Sequence, residues 1–411
     1  MQAIVFRYSL PRFALATVLG ALSPRAYAGP VAPTSLRDVP EPALPAADWA
    51  IVRTALCGIC GSDTKQIYLN GAFDNPLTSL ISFPHILGHE VVGVIEAVGP
   101  GVTTRRVGER VVVNPWLSCA PRGIQPPCLA CQQGQVTLCE HFSAGRLAPG
   151  IHLGNCRTAG GGYAPRLAAH ESQLIPIPDA VSFEQAVLAD PFAVSLHAVL
   201  KAPPAPGSTV LVYGSGTLGL LAIAILHVLF PTTRILAIAR YPHQEQMARR
   251  LGAHEIIRTR EAAQIIETVA ALTGAPILRP RQGKPWLRQG VDIVYDMVGS
   301  PESVEVGVRM TNPRGCIVIS GVARPARFEW TPLYFKELRL IGSNAFGVEE
   351  WDGVRQHAMA FYLQWAAEGR FDLTPMITQR FRLPQYQEAF VTAQRKSAHQ
   401  AIKVVFDLAS V

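Results

Sequence analysis

The chain has 411 residues, 49% hydrophobic and 16% charged, which is apolar material enough for two domain cores. Its 33 prolines and 34 glycines are spread along the chain rather than gathered in a tract, which argues against disorder. The formal net charge is +7, but the short basic clusters (Arg105-Arg106, Arg249-Arg250, Arg279-Pro280-Arg281) lack interleaved aromatics, so no nucleic-acid partner is expected. No run reaches the roughly 18 uninterrupted apolar residues of a spanning helix, so no membrane partner is expected either.

The first 29 residues read two ways. Arg7 and Arg12, the apolar stretch Phe13 to Leu22, and Ala26-Tyr27-Ala28-Gly29 resemble a signal peptide with its cleavage site. Alternatively, Met1 to Phe6 is the first strand of a folded domain, and Pro11 and Arg12 interrupt the apolar region in a way that suits a signal poorly. Cysteine usage favours the second reading and a cytoplasmic protein. Six of the eight cysteines fall in two local groups with metal-like spacing, as expected of thiols in a reducing compartment.

The pattern changes character near residue 190. Before it, Ile51 to Thr54, Val91 to Ile95 and Arg110 to Val113 read as short strands of a mostly β domain. After it, strands and helices alternate. Val210 to Tyr213 is a buried strand, and Leu218 to Phe230 an apolar helix stopped by Pro231. Arg234 to Ala239 is the next strand, and Gln244 to Leu251 a helix ended by Gly252. Asp292 to Tyr295 and Cys316 to Ile319 continue the series, which implies a parallel sheet wrapped by helices. Ala275 to Gly290, rich in proline and arginine, reads as a surface loop; His357 to Ala367 as a helix; and Ile402 to Phe406 as a last strand.

Gly214-Ser215-Gly216-Thr217-Leu218-Gly219 directly follows a strand and opens a helix. In that context Gly214 permits a tight turn, Gly216 lets backbone approach a pyrophosphate, and Gly219 lets helix pack on strand, so the loop is a candidate dinucleotide site. The next strand ends Ile238-Ala239-Arg240-Tyr241, with no carboxylate for a ribose 2′-hydroxyl. Arg240 can meet a 2′-phosphate instead, so NADP is expected over NAD.

Two groups carry metal-ligand chemistry. Cys60-Gly61-Ser62-Asp63 is followed 29 residues after the cysteine by His89, in Gly88-His89-Glu90, and Asp190 closes the β region. A catalytic zinc needs about three protein ligands and an open position, and Cys60, His89 and Asp190 supply such a set. The second group, Cys119-x8-Cys128-x2-Cys131-x7-Cys139, has the form of a closed four-thiolate structural site.

In these motifs the sequence resembles the zinc-containing medium-chain dehydrogenase/reductase family, over nearly its whole length. Lesser echoes are Gly160-Gly161-Gly162-Tyr163-Ala164 and Leu251-Gly252-Ala253. The resemblance implies an α/β fold with a GroES-like β domain (1–190, with a zinc lobe at 115–142), a doubly wound Rossmann domain (191–346), and a return to the first domain (347–411). It implies Cys60 and His89 as zinc ligands, with Glu90 or Asp190 as the third. Ser62 would accept the substrate's proton and Asp63 would steady a ligand. Gly214, Gly216, Thr217, Leu218, Gly219 and Arg240 would bind the cofactor. Three departures stand out: the x8 spacing, which makes Ala120 to Pro127 a bulge; Lys65, where some members have a proton-relaying histidine; and a chain longer than most, with Ala275 to Gly290 the plainest insertion.

The function implied is hydride transfer between a small-molecule alcohol (a polyol, a sugar-like alcohol or a secondary alcohol) and NAD(P), with two zinc ions per chain, in a homodimer or homotetramer. Two other readings are a non-catalytic NADP-binding sensor or scaffold of the same fold, and a zinc-containing double-bond reductase.

Overall fold

A computed structural model describes residues 1–71, 75–324 and 326–409. The chain divides into two compact units: Met1–Asp190 with Asp352–Val411, and Pro191–Trp351. The sequence reading places the second junction at 346/347.

The first unit is built on a mostly antiparallel sheet. The strand Trp49–Gly58 is its hub, pairing with Lys403–Asp407, Glu90–Val98 and Arg166–His170. Arg110–Val113 and Leu174–Pro176 extend it beyond Glu90–Val98. Alternate residues point to opposite faces, and a register shift between Ile51 and Val52 resets that alternation in the hub strand, so Trp49, Val52, Val91, Ile95, Val111 and Val113 line one core with Phe390 and Phe406. The N-terminus is part of this unit: Gln2–Phe6 is a strand pairing with Thr34–Asp38 and His85–Ile86, with Ile4 and Phe6 in the core. The apolar stretch after it forms the helix Leu10–Gly20. Among the described residues no helix is long and apolar enough to cross a membrane.

The second unit is a six-stranded parallel sheet. Its spatial order is Glu255–Ile257, Arg234–Ile238, Thr209–Tyr213, Val291–Asp296, Thr311–Ile319 and Arg339–Gly342. The chain winds outward from Thr209–Tyr213 in one direction, then returns to its other flank with Val291–Asp296. That reversal makes the carboxyl end of Thr209–Tyr213 a topological switch point, the place where such sheets bind ligands. The helix Thr217–Leu229 is apolar on nearly every face because it is buried nearly all round.

One expectation needs correcting. Ala275 to Gly290 is not simply a surface loop: Ile277–Leu278 and Trp286–Leu287 pair as an antiparallel ladder, and Leu287 is fully buried. Four apolar residues flanking the turn at Gly283, which has φ +95°, outweigh the proline and arginine content between them.

Candidate active site and metal centres

The register of the hub strand assembles the first site. Gly58 lies opposite Val405 on one side and Glu90 on the other, so chain segments far apart in sequence converge just before Cys60. The ligand atoms of Cys60, His89 and Glu90 all lie within 4.8 Å of one another, with His89 and Glu90 buried and Cys60 half-buried. Glu90 forms an ion pair with Lys403, both side chains being 2% exposed, and the ammonium also donates to the Ile59 carbonyl at 3.2 Å. A Cβ on Gly58 would overlap the Glu90 carboxylate, so glycine is needed there for close approach.

Asp63 braces the trio. Its carboxylate accepts from the Cys60 backbone N–H at 2.9 Å and from the Tyr163 hydroxyl at 2.7 Å, and lies 3.5 Å from His89 Nδ1. Burial opposes its charge, but His89 and these donors outweigh burial and hold the carboxyl below its usual range. Ser62 is exposed on the first turn of the helix Gly61–Ile67. Asp190 is not among the three whose ligand atoms converge, but it is a buried carboxylate that feels the charges of His89 and Glu90, and its Oδ2 has no hydrogen-bond partner. Burial first, then the nearby Glu90 and Asp63 charges, push its pKa up to about 7, against the pull of His89 and Lys403. A thiol, an imidazole and two carboxylates, one of them with a partnerless buried oxygen, are a donor set that suits a zinc ion with an open position.

The second cluster draws together Cys119, Cys128, Cys139 and a residue the sequence reading did not include, His141, with ligand atoms all within 4.8 Å of one another. Cys119 and Cys139 sulfurs are 3.6 Å apart, near the roughly 3.8 Å edge of a tetrahedron with 2.3 Å zinc–sulfur bonds. Cys131, expected from the sequence as the fourth ligand, falls outside that group of four, with His141 in its place; interactions with Cys139 first, then with Cys128 and Cys119, nonetheless outweigh burial and lower its thiol pKa to about 5. Backbone N–H groups of Cys128 and His141 donate to the Cys119 and Cys139 sulfurs, each at 3.4 Å, an arrangement that favours thiolates.

The bulge that the x8 spacing demands is held from inside. Arg122, 1% exposed, donates to the carbonyls of Leu117, Ala144, Leu147, Ala148 and Gly150 at 2.7–3.1 Å.

In the second unit, Gly214 adopts φ +96° at the end of Thr209–Tyr213, and Gly216 caps the helix Thr217–Leu229. A Cβ on Gly219 would overlap the Gly214 carbonyl, whereas one on Gly216 would meet no other atom within 4 Å. That open face above a helix N-terminus suits a pyrophosphate. Thr217 and Leu218 form the first turn. Arg240 is exposed after Arg234–Ile238; next to it, Tyr241 stacks on His243 at 5.7 Å and carries the Arg260 guanidinium over its ring, also at 5.7 Å.

Comparison with known proteins agrees with this geometry. Residues 46–179 match the alcohol dehydrogenase GroES-like domain and residues 217–360 match the zinc-binding dehydrogenase domain. The chain belongs to the zinc-dependent medium-chain alcohol dehydrogenase family. It is 28% identical to sorbitol dehydrogenase of Bacillus subtilis, over 84% of this chain and 86% of that one. It is 29% identical to (R,R)-butanediol dehydrogenase of Saccharomyces cerevisiae, over 77% and 81%. The solved structure of 2R,3R-butanediol dehydrogenase from Bacillus subtilis superposes with a TM-score of 0.71 at 26% identity, covering 91% of this chain and 96% of that one. This dehydrogenase is therefore an α/β protein with a GroES-like and a Rossmann-type domain, an oxidoreductase that uses zinc and a nicotinamide cofactor on a small-molecule alcohol.

Four residues in or around the dehydrogenase's two candidate metal sites are not assigned a site role by the sequence. Lys403 had a signal, being a lone charge in the apolar run Ile402 to Phe406, which requires a buried partner. Tyr163 sits in a glycine-rich segment without a periodic pattern. His152, its ring 4.6 Å from His89 and its pKa pushed down to about 3 by burial, and His141 lie in irregular loops, where spacing carries no information.

Proposed function

We propose that this dehydrogenase oxidises a secondary hydroxyl of a polyol or vicinal diol, and reduces the matching ketone, with NADP preferred to NAD. The convergence of Cys60, His89 and Glu90 within 4.8 Å, together with the partnerless oxygen of Asp190, is the observation that carries the reading. The sorbitol, butanediol and D-xylulose names of its relatives support the substrate class.

Zinc bound at this site would supply the Lewis acidity that makes an alcohol O–H acidic near neutral pH, and a nicotinamide would accept the hydride. The protein's own groups do the rest. Cys60 and His89 are ligands. Glu90 already has the Lys403 ammonium as its countercharge, so Asp190, whose Oδ2 lacks a partner, is the third ligand. Ser62 takes the proton from the substrate hydroxyl, and Asp63 orients the His89 ring. A second zinc belongs to the cysteine lobe. Arg240, with Arg260 nearby and no carboxylate at the strand end, favours the 2′-phosphate of NADP.

The reduced thiol clusters suit the cytoplasm. The exposed Trp330, Tyr334 and Phe335, near the sheet-edge strand Arg339–Gly342, suit a homodimer or homotetramer. Initial rates on polyols, vicinal diols and other secondary alcohols, with NADP and NAD side by side and zinc counted, test the proposal. Turnover of polyols with NADP at two zinc ions per chain is expected. Silence on every alcohol with zinc in the lobe alone would overturn it in favour of a non-catalytic cofactor-binding role.

A further inference from the structure

The lobe holds one donor too many. A tetrahedral zinc takes four ligands, and Cys119, Cys128, Cys139 and His141 already bring four donors within 4.8 Å of one another, while Cys131 lies close enough to Cys139, Cys128 and Cys119 for them to lower its thiol pKa. His141 Nδ1 lies 3.3 Å from Cys119 Sγ, the spacing of two ligands on one tetrahedral ion, and a ring nitrogen of His141 is within 4.8 Å of the Cys128 and Cys139 sulfurs. The three cysteines shared by both possible sets are buried, while the two remaining donors, Cys131 and His141, are half-buried. Cys131, on the short helix Leu129–Gln132, is half-buried where the other three lobe cysteines are buried, so its thiol is the most accessible of the four. His141 follows Cys139 by two residues, and its own backbone N–H is already fixed on the Cys139 sulfur, which ties its main chain to the site.

We propose that His141 is a reserve ligand of the lobe zinc: Cys119, Cys128 and Cys139 hold the ion permanently, and His141 takes the fourth position when Cys131 is lost from the set. An imidazole nitrogen binds zinc at about 2.0–2.1 Å, so a modest shift of the ring brings it into range without rebuilding the lobe. The lobe thereby keeps its metal, and its fold, after chemical damage to its most accessible thiol. The competing role for His141 is a hydrogen-bond donor to the Cys119 thiolate that never touches the metal.

The inference rests on the reading that the lobe binds zinc, and the test separates the two. Zinc per chain is counted in the full-length protein and in Cys131→Ala, His141→Ala and the double variant. Cobalt(II) spectra are recorded for each, since replacing a sulfur by a nitrogen moves the d–d bands to shorter wavelength. Both single variants are expected to retain the lobe zinc, Cys131→Ala with the blue-shifted spectrum, and the double variant to lose one equivalent. Loss of one equivalent from Cys131→Ala alone, or its retention by the double variant, would overturn the proposal. Wild type without lobe zinc would end the underlying reading as well. Should Cys131→Ala fail to fold, N-ethylmaleimide modification at Cys131, mapped by peptide mass, replaces it. Wild type should then keep its lobe zinc and His141→Ala release it; equal release from both would overturn the proposal.

Discussion

The Lys403 ammonium and the Glu90 carboxylate form an ion pair, each side chain 2% exposed, across a glycine whose missing Cβ leaves them room. Burial opposes the lysine's charge, yet Glu90 and Cys60 outweigh it and raise its pKa, so the ammonium stays charged. The pair fixes the orientation of a carboxylate beside Cys60 and His89.

Breaking the pair on one side leaves an uncompensated buried charge. Lys403→Met should cost about 3–5 kcal/mol of stability in chemical denaturation. The double variant Lys403→Met with Glu90→Gln should recover a good part of that loss, because no lone charge remains. A double variant no more stable than the single one would show that the lysine stem, not the charge, matters.

Cys60→Ser should abolish alcohol oxidation and lose one zinc equivalent, with cofactor binding to the second unit nearly intact. The site's thiolate is its softest donor, and a serine hydroxyl does not replace it at neutral pH. Metal analysis beside a fluorescence titration of NADPH checks both halves. Rates like those of wild type would remove Cys60 from the proposed ligand set.

How much of this was legible in the sequence depends on the kind of signal. Gly214 to Gly219 was readable because a strand, a turn and a helix are each local, and the structure puts the turn where the sheet order reverses. Cys60 and Gly88-His89-Glu90 were readable as ligand types. The partner of Glu90 was not, because Lys403 is brought there only by the pairing of Val405 with Gly58, a contact 347 positions away in sequence. The turn at 275–290 was misjudged because its proline and arginine content masks two apolar dipeptides that pair across it. Arg122 reads as an ordinary surface cation; that it turns inward on five carbonyls follows from the path of a loop that no periodicity predicts.

Arg240→Asp should reverse the cofactor preference. A charge-assisted contact to a phosphate contributes about 1.5–3 kcal/mol, so NADP affinity should fall roughly tenfold to a hundredfold. The new carboxylate can accept from a ribose hydroxyl, so NAD affinity should hold or rise. Parallel titrations with both nucleotides decide it, and unchanged NADP binding would mean that Arg240 faces solvent.

Lys336 gives a pH prediction. It is 1% exposed, donates to the Leu287 and Thr311 carbonyls at 3.2 and 2.5 Å, and burial pushes its pKa from 10.5 down to about 7. Between those two values the unfolded chain holds a proton that the folded chain does not, so stability rises with pH across that window and is flat below it. From pH 7 to 9 the gain is about 2–3 kcal/mol at 1.36 kcal/mol per unit. Lys336→Met should lose this contribution, so denaturation midpoints of wild type and variant at the two pH values should differ in slope. Parallel slopes would place the ammonium in a better solvated setting.

Arg122 is the last test, and it links the long cysteine spacing to the lobe. The residues between Cys119 and Cys128 turn back through bonds from Gly123 N–H to the Ala120 carbonyl and from Ile124 N–H to the Cys119 carbonyl. Arg122, inside that turn, ties it to the segment from Ala144 to Gly150, which follows Cys139. The guanidinium therefore joins the chain entering the lobe to the chain leaving it, and its five bonds replace the water lost on burial. Arg122→Met keeps the stem but orphans buried carbonyls, each costing about 1–3 kcal/mol where water cannot reach. The variant should lose several kcal/mol and release lobe zinc to a chelator faster than wild type, while Arg122→Lys, with three donors and no fork, should fall between. Zinc release followed with a colorimetric chelator, alongside denaturation, reads both effects. A destabilised variant with wild-type zinc release would confine Arg122 to the fold and detach it from the metal.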